Sequence, residues 1–451
     1  MKRRFLLFAL FSLYSILMFG QKQYEMVTVK TDGSTIVTKT SDIDHVFFRE
    51  ITSEDNGGQG DNQETFSADR TVLVYMSGEN SLSSYTYSDL SELTIGSKNI
   101  GNNNLIVYVD NSNSKELPWL AKLENGKVTD SVSVKDMNIQ PTKGYVQNDP
   151  YASDPSVMEE VIRYTINKYP SKTNDYALAF FGHGCGWLIK DSIEYTSMVR
   201  QRAYGIDNGK NTTSDAGKWL NIPSMAKMLA HFPRFSYIFF DCCNMQGLEV
   251  AYELRNVTDY IIGSPAEIPD NGAPYITVAP AMMEKTTFWK SIVDRYYEQR
   301  DGGFDVPLSV IKTSEMENLA SATRTILSTI SHQFGGDYPN LSGLIHYYYD
   351  SSSKRQFFDA NDFVLKFALT DDYKTWKQAF DRAVIYKKMA TEWMINKSSW
   401  ARYYGNYFEV NEEKYGGVSM FIPQWSYQTT DNKYIQQMGW YYAAGYQDIG
   451  W

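Results

Sequence analysis

Tyr176-Ala-Leu-Ala-Phe-Phe-Gly-His-Gly-Cys-Gly-Trp187 is the stretch on which the reading of this chain turns. Apolar residues of buried-strand type, Tyr176 to Phe181, run without a break into a glycine-spaced loop that carries His183. A second run, Phe235-Ser-Tyr-Ile-Phe-Phe240, gives way in the same manner to Asp241-Cys-Cys-Asn-Met245. Short runs that are apolar on both faces suit a parallel sheet covered on each side, because neither face meets water. Such a sheet sets the C-terminal ends of neighbouring strands side by side, and open α/β sheets collect ligands and reactive groups at that edge. An imidazole from the first loop and a thiol from the second are thereby candidates for one cleft.

Working outward, Thr71-Val-Leu-Val-Tyr-Met76, Asn104-Leu-Ile-Val-Tyr-Val109, Tyr237-Ile-Phe-Phe240 and Tyr260-Ile-Ile262 read as further buried strands. Helical stretches lie between them. Asp154 to Tyr169 opens on an Asp/Pro entry and repeats apolar residues at Val157, Val161, Ile162 and Ile166. Asn221 caps a helix over Pro223 to His231, and Leu248, Val250, Ala251 and Leu254 mark another within Gln246 to Arg255. Strands alternating with helices predict an α/β fold with a mostly parallel sheet covered on both faces. Beyond Pro280 the pattern turns mainly helical, at Phe288 to Gln299, Ser314 to His332, Ala360 to Ala368 and Tyr373 to Met394. A late strand, Gly417 to Pro423, precedes an aromatic helix near Tyr434 to Ala444, and no internal repeat is apparent.

At the other end, Lys2-Arg-Arg4 precedes an apolar stretch from Phe5 to Phe19, followed by Gly20-Gln21. This is the pattern of a secretory signal peptide over 1–20, too short for a spanning helix. It predicts an exported protein, released, periplasmic or held at the cell surface, with no transmembrane segment. Tyr24 to Glu50 alternates apolar and polar residues around an Asp32-Gly33 turn, a small β unit over 21–51. Asp55-Asn-Gly-Gly-Gln-Gly-Asp61 marks a linker over 52–69, leaving 70–451 as the main domain. A formal charge of -10 excludes a general nucleic-acid binder, which needs a basic surface.

The chain has three cysteines, so every pairing scheme leaves at least one thiol free, and a Cys185–Cys242 disulfide stays open as one scheme. No C-x-x-C or H-x-x-x-H spacing is present to support a zinc site, and no cofactor motif is found. Cys243 sits where a strand gives way to the helix predicted from Gln246, and a helix N-terminus or neighbouring imidazolium increases the thiolate fraction. His183 would assist proton transfer from the thiol and protonate a departing amine. Gly184, lacking a Cβ, admits a carbonyl close to the backbone, where its N–H and that of Cys243 form a candidate oxyanion hole. His45, His231, His332 and His346 have no comparable surroundings.

These blocks together resemble the clostripain family of cysteine peptidases, relatives of caspases, gingipains and legumain. Val74-Tyr-Met-Ser-Gly-Glu-Asn-Ser-Leu82 resembles the family's first strand and loop, and His183-Gly-Cys-Gly-Trp187 its histidine block. Asp241-Cys-Cys-Asn-Met245 with Glu249-Val-Ala-Tyr-Glu-Leu254 resembles its nucleophile block and following helix. Ser264 through Gly272-Ala-Pro-Tyr275 and the Gly417 to Pro423 strand also fit. The resemblance implies a caspase-like α/β/α sandwich, with a core over about 70–280 and a helical part over about 281–451. It implies a secreted endopeptidase acting on protein or peptide substrates through a Cys243 thioester with His183. Cys242 falls where the family has a small alanine and should face the opposite side of the sheet.

Family members typically cut after Arg or Lys, using acidic groups near the nucleophile. The resemblance assigns Asp241, Ser264 and Glu267 to substrate binding, with a carboxylate pairing the substrate's cation. Where the family often has an acidic residue after the serine, this chain has Pro265, so either Glu267 substitutes or the basic preference weakens. Relatives are often cut between the histidine and cysteine blocks, and Lys190, Arg200, Arg202 and Lys210 lie in that segment here. Calcium dependence occurs in the family, but no loop of EF-hand spacing is present. The alternative reading is a secreted peptide- or glycan-binding protein that keeps the scaffold without cleaving.

Overall fold

A computed structural model describes residues 25–29, 35–39, 68–112, 117–141, 150–188, 204–210, 212–298, 305–347, 357–391, 393, 408–425 and 431–451. The expected signal peptide, most of the expected linker, and Lys190, Arg200 and Arg202 lie outside the described residues. The chain divides into two units, Met1–Gln63 and Glu64–Trp451. In the first, β1 (Glu25–Val29) and β2 (Thr35–Lys39) pair antiparallel with Val27 opposite Val37.

The second unit is built on one large sheet. Its strands are β3 (Thr71–Gly78), β4 (Asn104–Asn111), β5 (Trp119–Glu124), β6 (Lys127–Ser133), β7 (Tyr176–Phe181), β10 (Tyr237–Asp241), β11 (Tyr260–Gly263), β12 (Leu308–Lys312) and β14 (Val384–Lys388). Two small ribbons, β8 (Tyr204–Asp207) with β9 (Lys218–Leu220) and β13 (Phe358–Asp359) with β15 (Ser419–Met420), stand apart from it. The nine strands lie in the order β14-β12-β11-β10-β7-β3-β4-β5-β6. The central run from β11 to β4 is parallel, and these are the strands read from the sequence.

Both flanks are antiparallel, which the sequence reading did not anticipate. The β5–β6 hairpin turns on Asn125-Gly126, both at positive φ (53° and 77°), the geometry that matches strand twist. At the opposite edge, the helix expected over Tyr373 to Met394 ends at Ala383, and Val384-Ile-Tyr386 continue as β14. β-branched and aromatic residues favour that outcome once a neighbouring strand offers hydrogen bonds. The mainly helical C-terminal part therefore also supplies two strands to the sheet. The late strand shortens to Ser419–Met420, and the last helix splits.

Alternation along β3 explains the layers. Leu73 and Tyr75 face one core with residues of α2 (Pro155–Lys168), α3 (Ile222–Leu229), α4 (Leu248–Leu254) and α7 (Met316–Ser331). Val72, Val74 and Met76 face the other, with residues of α1 (Ser83–Gly96), α5 (Tyr275–Met282) and α6 (Phe288–Glu298). Successive strand residues point to opposite faces, so one run of apolar residues feeds both cores. The result is an α/β fold with a mixed sheet covered by helices on both faces.

The C-terminal tail is tied to the loop after β10. Ser419 N–H donates to Gln246 O at 3.0 Å, and Phe421 N–H to Glu249 Oε1 at 2.7 Å. Glu249 is fully buried, and desolvation pushes its carboxyl from 4.5 up to about 7 against the Phe421 bond. An acid whose folded pKa is raised loses native stability as pH climbs from its unfolded pKa through the folded one. Glu249→Gln is therefore expected to stabilise the fold at pH 8 by roughly 1–3 kcal/mol and to have little effect near pH 5. Thermal unfolding at the two pH values measures this, and equal shifts at both would contradict it.

Candidate active site

β7 and β10 are adjacent and parallel, with Phe181 opposite Asp241. His183 and Cys243 thus each stand two residues beyond the last paired position, on strands whose backbones run about 4.8 Å apart. The two loops touch. A Cβ at Gly184 would fall 2.5 Å from the Cys243 carbonyl oxygen and 2.9 Å from Cys242 Cβ. Ribbon β8 fastens the histidine loop: Gly205 N–H donates to His183 O at 2.8 Å, and Gly184 faces Tyr204 across an antiparallel bridge. When such a pair is bonded through its flanking residues, the facing N–H groups point outward. The Gly184 N–H is therefore turned away from β8. The Tyr204 hydroxyl lies 3.1 Å from Tyr75 O and 3.2 Å from Phe181 O, pinning the ribbon over the strand ends.

The adjacent cysteines point to different surroundings. Cys242 is buried in the core that holds Tyr75 and Phe180, with Sγ 3.1 Å from Phe180 O, and burial pushes its thiol up. Cys243 is half-buried and packs at the edge of the opposite core. Ile268 N–H donates to its sulfur at 3.4 Å. Burial first, then the charge of Glu267, raises the Cys243 thiol well above its ordinary range, with the Ile268 N–H opposing them. This differs from the thiolate-favouring helix terminus expected from sequence. Residues 242–247 form a turn, with Asn244 at φ 60° and its N–H bonded to Ala266 O, and α4 begins only at Leu248. A thiolate at Cys243 would therefore need a neighbouring base to take its proton.

His183 has 28% of its side chain exposed, and its Nε2 lies 2.9 Å from Ser81 Oγ and 3.3 Å from Asp215 Oδ1. Ser81 N–H donates to the same Asp215 oxygen at 3.0 Å. Burial acts to raise the Asp215 carboxyl, but the His183 bond and the Ser81 N–H outweigh it and hold it at about 2. The loops carrying these groups are cross-tied. Asn80 Nδ2 donates to Ile206 O at 2.8 Å, and Asn208 Nδ2 to Glu79 O at 3.0 Å.

Asp241 sits beneath the nucleophile, only 2% exposed. Its carboxylate accepts from Ala273 N–H at 2.9 Å and from Tyr296 OH at 2.8 Å. Burial nevertheless raises it to about 6. Asp89 of α1 is buried as well, held at about 9 by desolvation, then by the charges of Asp241 and Glu92. Ser264 turns inward, its Oγ accepting from Ala266 N–H at 3.1 Å, while Glu267 is half-buried. Two of these carboxyl groups, Glu267 and Asp241, thus act on the Cys243 thiol, and both raise it.

Ser81 and Asp215 escaped the sequence reading as partners of His183. Ser81 lay within a recognised block but carried no motif of its own, and Asp215 lies in a polar run without periodicity. A groove of about 610 Å³ lined by Tyr87, Leu117, Trp119 and Val128 lies at the β5–β6 edge, away from these loops. Among the described residues, no group of three or more His, Cys, Asp or Glu is arranged to hold a metal ion. Nor is any helix among them long and apolar enough to cross a membrane.

Comparison with known proteins agrees with this architecture. The family model described as the clostripain family matches residues 74–451. Clostripain of Hathewaya histolytica is 26% identical over 231 residues, 49% of this chain and 41% of that protein. The chain thus spans about two fifths of the length of that curated relative. A secreted C11 cysteine protease of Bacteroides thetaiotaomicron, solved with an irreversible peptide inhibitor, superposes with a TM-score of 0.66 at 28% identity, covering 84% of this chain and 100% of that one. An inactive zymogen C11 protease of Parabacteroides distasonis gives 0.65 at 28%, covering 84% and 98%. With the family model matched over more than three quarters of its length, this chain belongs to the clostripain family of cysteine peptidases.

Proposed function

We propose that the protein is a secreted cysteine endopeptidase with Cys243 as nucleophile and His183 as its base. The observation that carries this reading is the β7–β10 register, which brings both residues to one sheet edge with Gly184 against the Cys243 carbonyl. Cys243 Sγ attacks the scissile carbonyl carbon as its proton passes to His183. The resulting oxyanion is received by the backbone N–H groups of Gly184 and Cys243. Collapse expels the amine, which takes the proton from His183, and water then hydrolyses the thioester. Export rests on the signal-peptide pattern at 1–20 and on the secreted protease among the similar structures. A mixed peptide library incubated with wild type and with Cys243→Ala tests the activity: cleavage by wild type alone supports it, and no cleavage by either contradicts it.

The substrate's cleaved residue is Arg or Lys. The half-buried carboxylate of Glu267, whose charge acts on the thiol, supports this, since a guanidinium or ammonium would neutralise it. Glu267→Gln is expected to lower kcat/KM on Arg and Lys substrates about tenfold. The same change should speed alkylation of Cys243 by iodoacetamide near neutral pH, because it removes a charge that holds the thiol protonated. Unchanged kinetics on both counts would exclude Glu267 from the site. Self-cleavage between the two loops is supported by the exposed Lys210 and by the zymogen form of a similar structure.

A further inference from the structure

We infer that Asp215 is a positioning residue that fixes the orientation and tautomer of His183, so that Nδ1 is the nitrogen facing the thiol. The inference rests on the peptidase reading and extends it to a residue outside the His and Cys loops. Three contacts define the arrangement: Nε2 to Ser81 Oγ at 2.9 Å, Nε2 to Asp215 Oδ1 at 3.3 Å, and Ser81 N–H to Asp215 Oδ1 at 3.0 Å. A carboxylate accepts only, so the tautomer that satisfies the pair carries its proton on Nε2. Nδ1 is then the unprotonated nitrogen, ready to take a proton. Asp215 is ionised at any working pH, which keeps the acceptor constant and stabilises the imidazolium formed when Nδ1 is protonated.

The anchoring of Asp215 supports a fixed geometry. Its neighbour Ser214 offers its carbonyl to Asn208 Nδ2 at 3.1 Å, and the same amide reaches Glu79 O at 3.0 Å and Thr212 O at 2.8 Å. Asn208, Thr212 and Ser214 are thereby fastened to the loop after β3, and the carboxylate meets His183 from the side that Ser81 also occupies. With 53% of the Asp215 side chain exposed, its replacement removes a partner of His183 without opening the core.

The test uses the full-length protein and an irreversible peptide electrophile ending in Arg or Lys, with kinact and KI measured separately. Asp215→Ala is expected to lower kinact by about 10- to 100-fold, leaving KI within about twofold and the melting temperature unmoved. Asp215→Asn keeps a hydrogen-bonding side chain without the charge and should fall between, and Asp215→Glu should recover most of the lost rate. A labelled wild type matched in kinact by Asp215→Ala overturns this inference alone. So does a loss confined to KI, or one that Asp215→Glu fails to recover. A wild type that takes no label overturns the peptidase reading and this inference with it.

Discussion

Cys243→Ala is expected to lower kcat/KM on peptide substrates by about 10⁴-fold or more while leaving the fold intact. His183→Ala should approach the same loss, because residues that act as a unit are not additive. The physical basis is the environment of the thiol. Burial and Glu267 keep Cys243 protonated, so little thiolate is available without a base, and the sheet register offers His183 for that purpose. Cys242→Ala is the control. Its sulfur lies within the core at Phe180 O, so the change should cost stability of about 1 kcal/mol and leave activity near wild type. Initial rates on a common peptide separate the outcomes. Activity surviving in Cys243→Ala but lost in Cys242→Ala would reverse the assignment of the two thiols.

Gly184→Ala carries the second large effect. Its Cβ would meet the Cys243 carbonyl oxygen at 2.5 Å and Cys242 Cβ at 2.9 Å, contacts with the nucleophile turn that no flexible side chain can relieve. The histidine loop must move away from β10, or the 242–245 turn must yield. Either displacement separates the imidazole from the sulfur and shifts the Gly184 N–H from the place where negative charge develops. A misplacement near 1 Å costs about 10²-fold, and losing one oxyanion donor costs about 10²- to 10³-fold, so kcat should drop by about 10²-fold or more. The folded state should lose roughly 1–3 kcal/mol from the same overpacking. Wild-type kcat in this variant would mean that the two loops do not work in contact.

Much of the centre of the molecule was legible in the sequence. The five parallel strands announce themselves as unbroken apolar runs, because a strand covered on both faces leaves no position for a polar side chain. The edges were not legible for a related reason. Strand β5 is only partly buried and β6 is largely exposed, so both lose that signature, although Asn125-Gly126 between them was a hairpin signal that went unread. Strand β14 follows the helix Thr370–Ala383 without a break, and only its pairing with β12 decides it. Helix α1 buries Ser83, Thr86, Asp89, Leu93 and Gly96, a face with almost no apolar period to detect.

At the site, the same contrast holds. His183, Gly184 and Cys243 stand on strand ends, where local sequence marks them. Ser81 and Asp215 reach the imidazole from loops far apart in the chain, and only the folded arrangement joins them. The thiol's environment was misread because helix α4 starts at Leu248, where its apolar residues begin, and not at Gln246. Residues 242–247 are held instead by bonds from Asn244 N–H to Ala266 O and from Gln246 N–H to Ser264 O. Ser264 thus has a visible structural task in the loop that supports the nucleophile turn.

The most direct measurement is to incubate the wild-type protein with an irreversible peptide electrophile ending in a basic residue and to locate the adduct by peptide mass spectrometry. A single adduct on Cys243, strongly slowed in His183→Ala, is the expected result. An adduct on Cys185 or Cys242 in its place, or labelling of Cys243 at equal rates with and without the imidazole, would contradict a thiol and imidazole working together across β7 and β10.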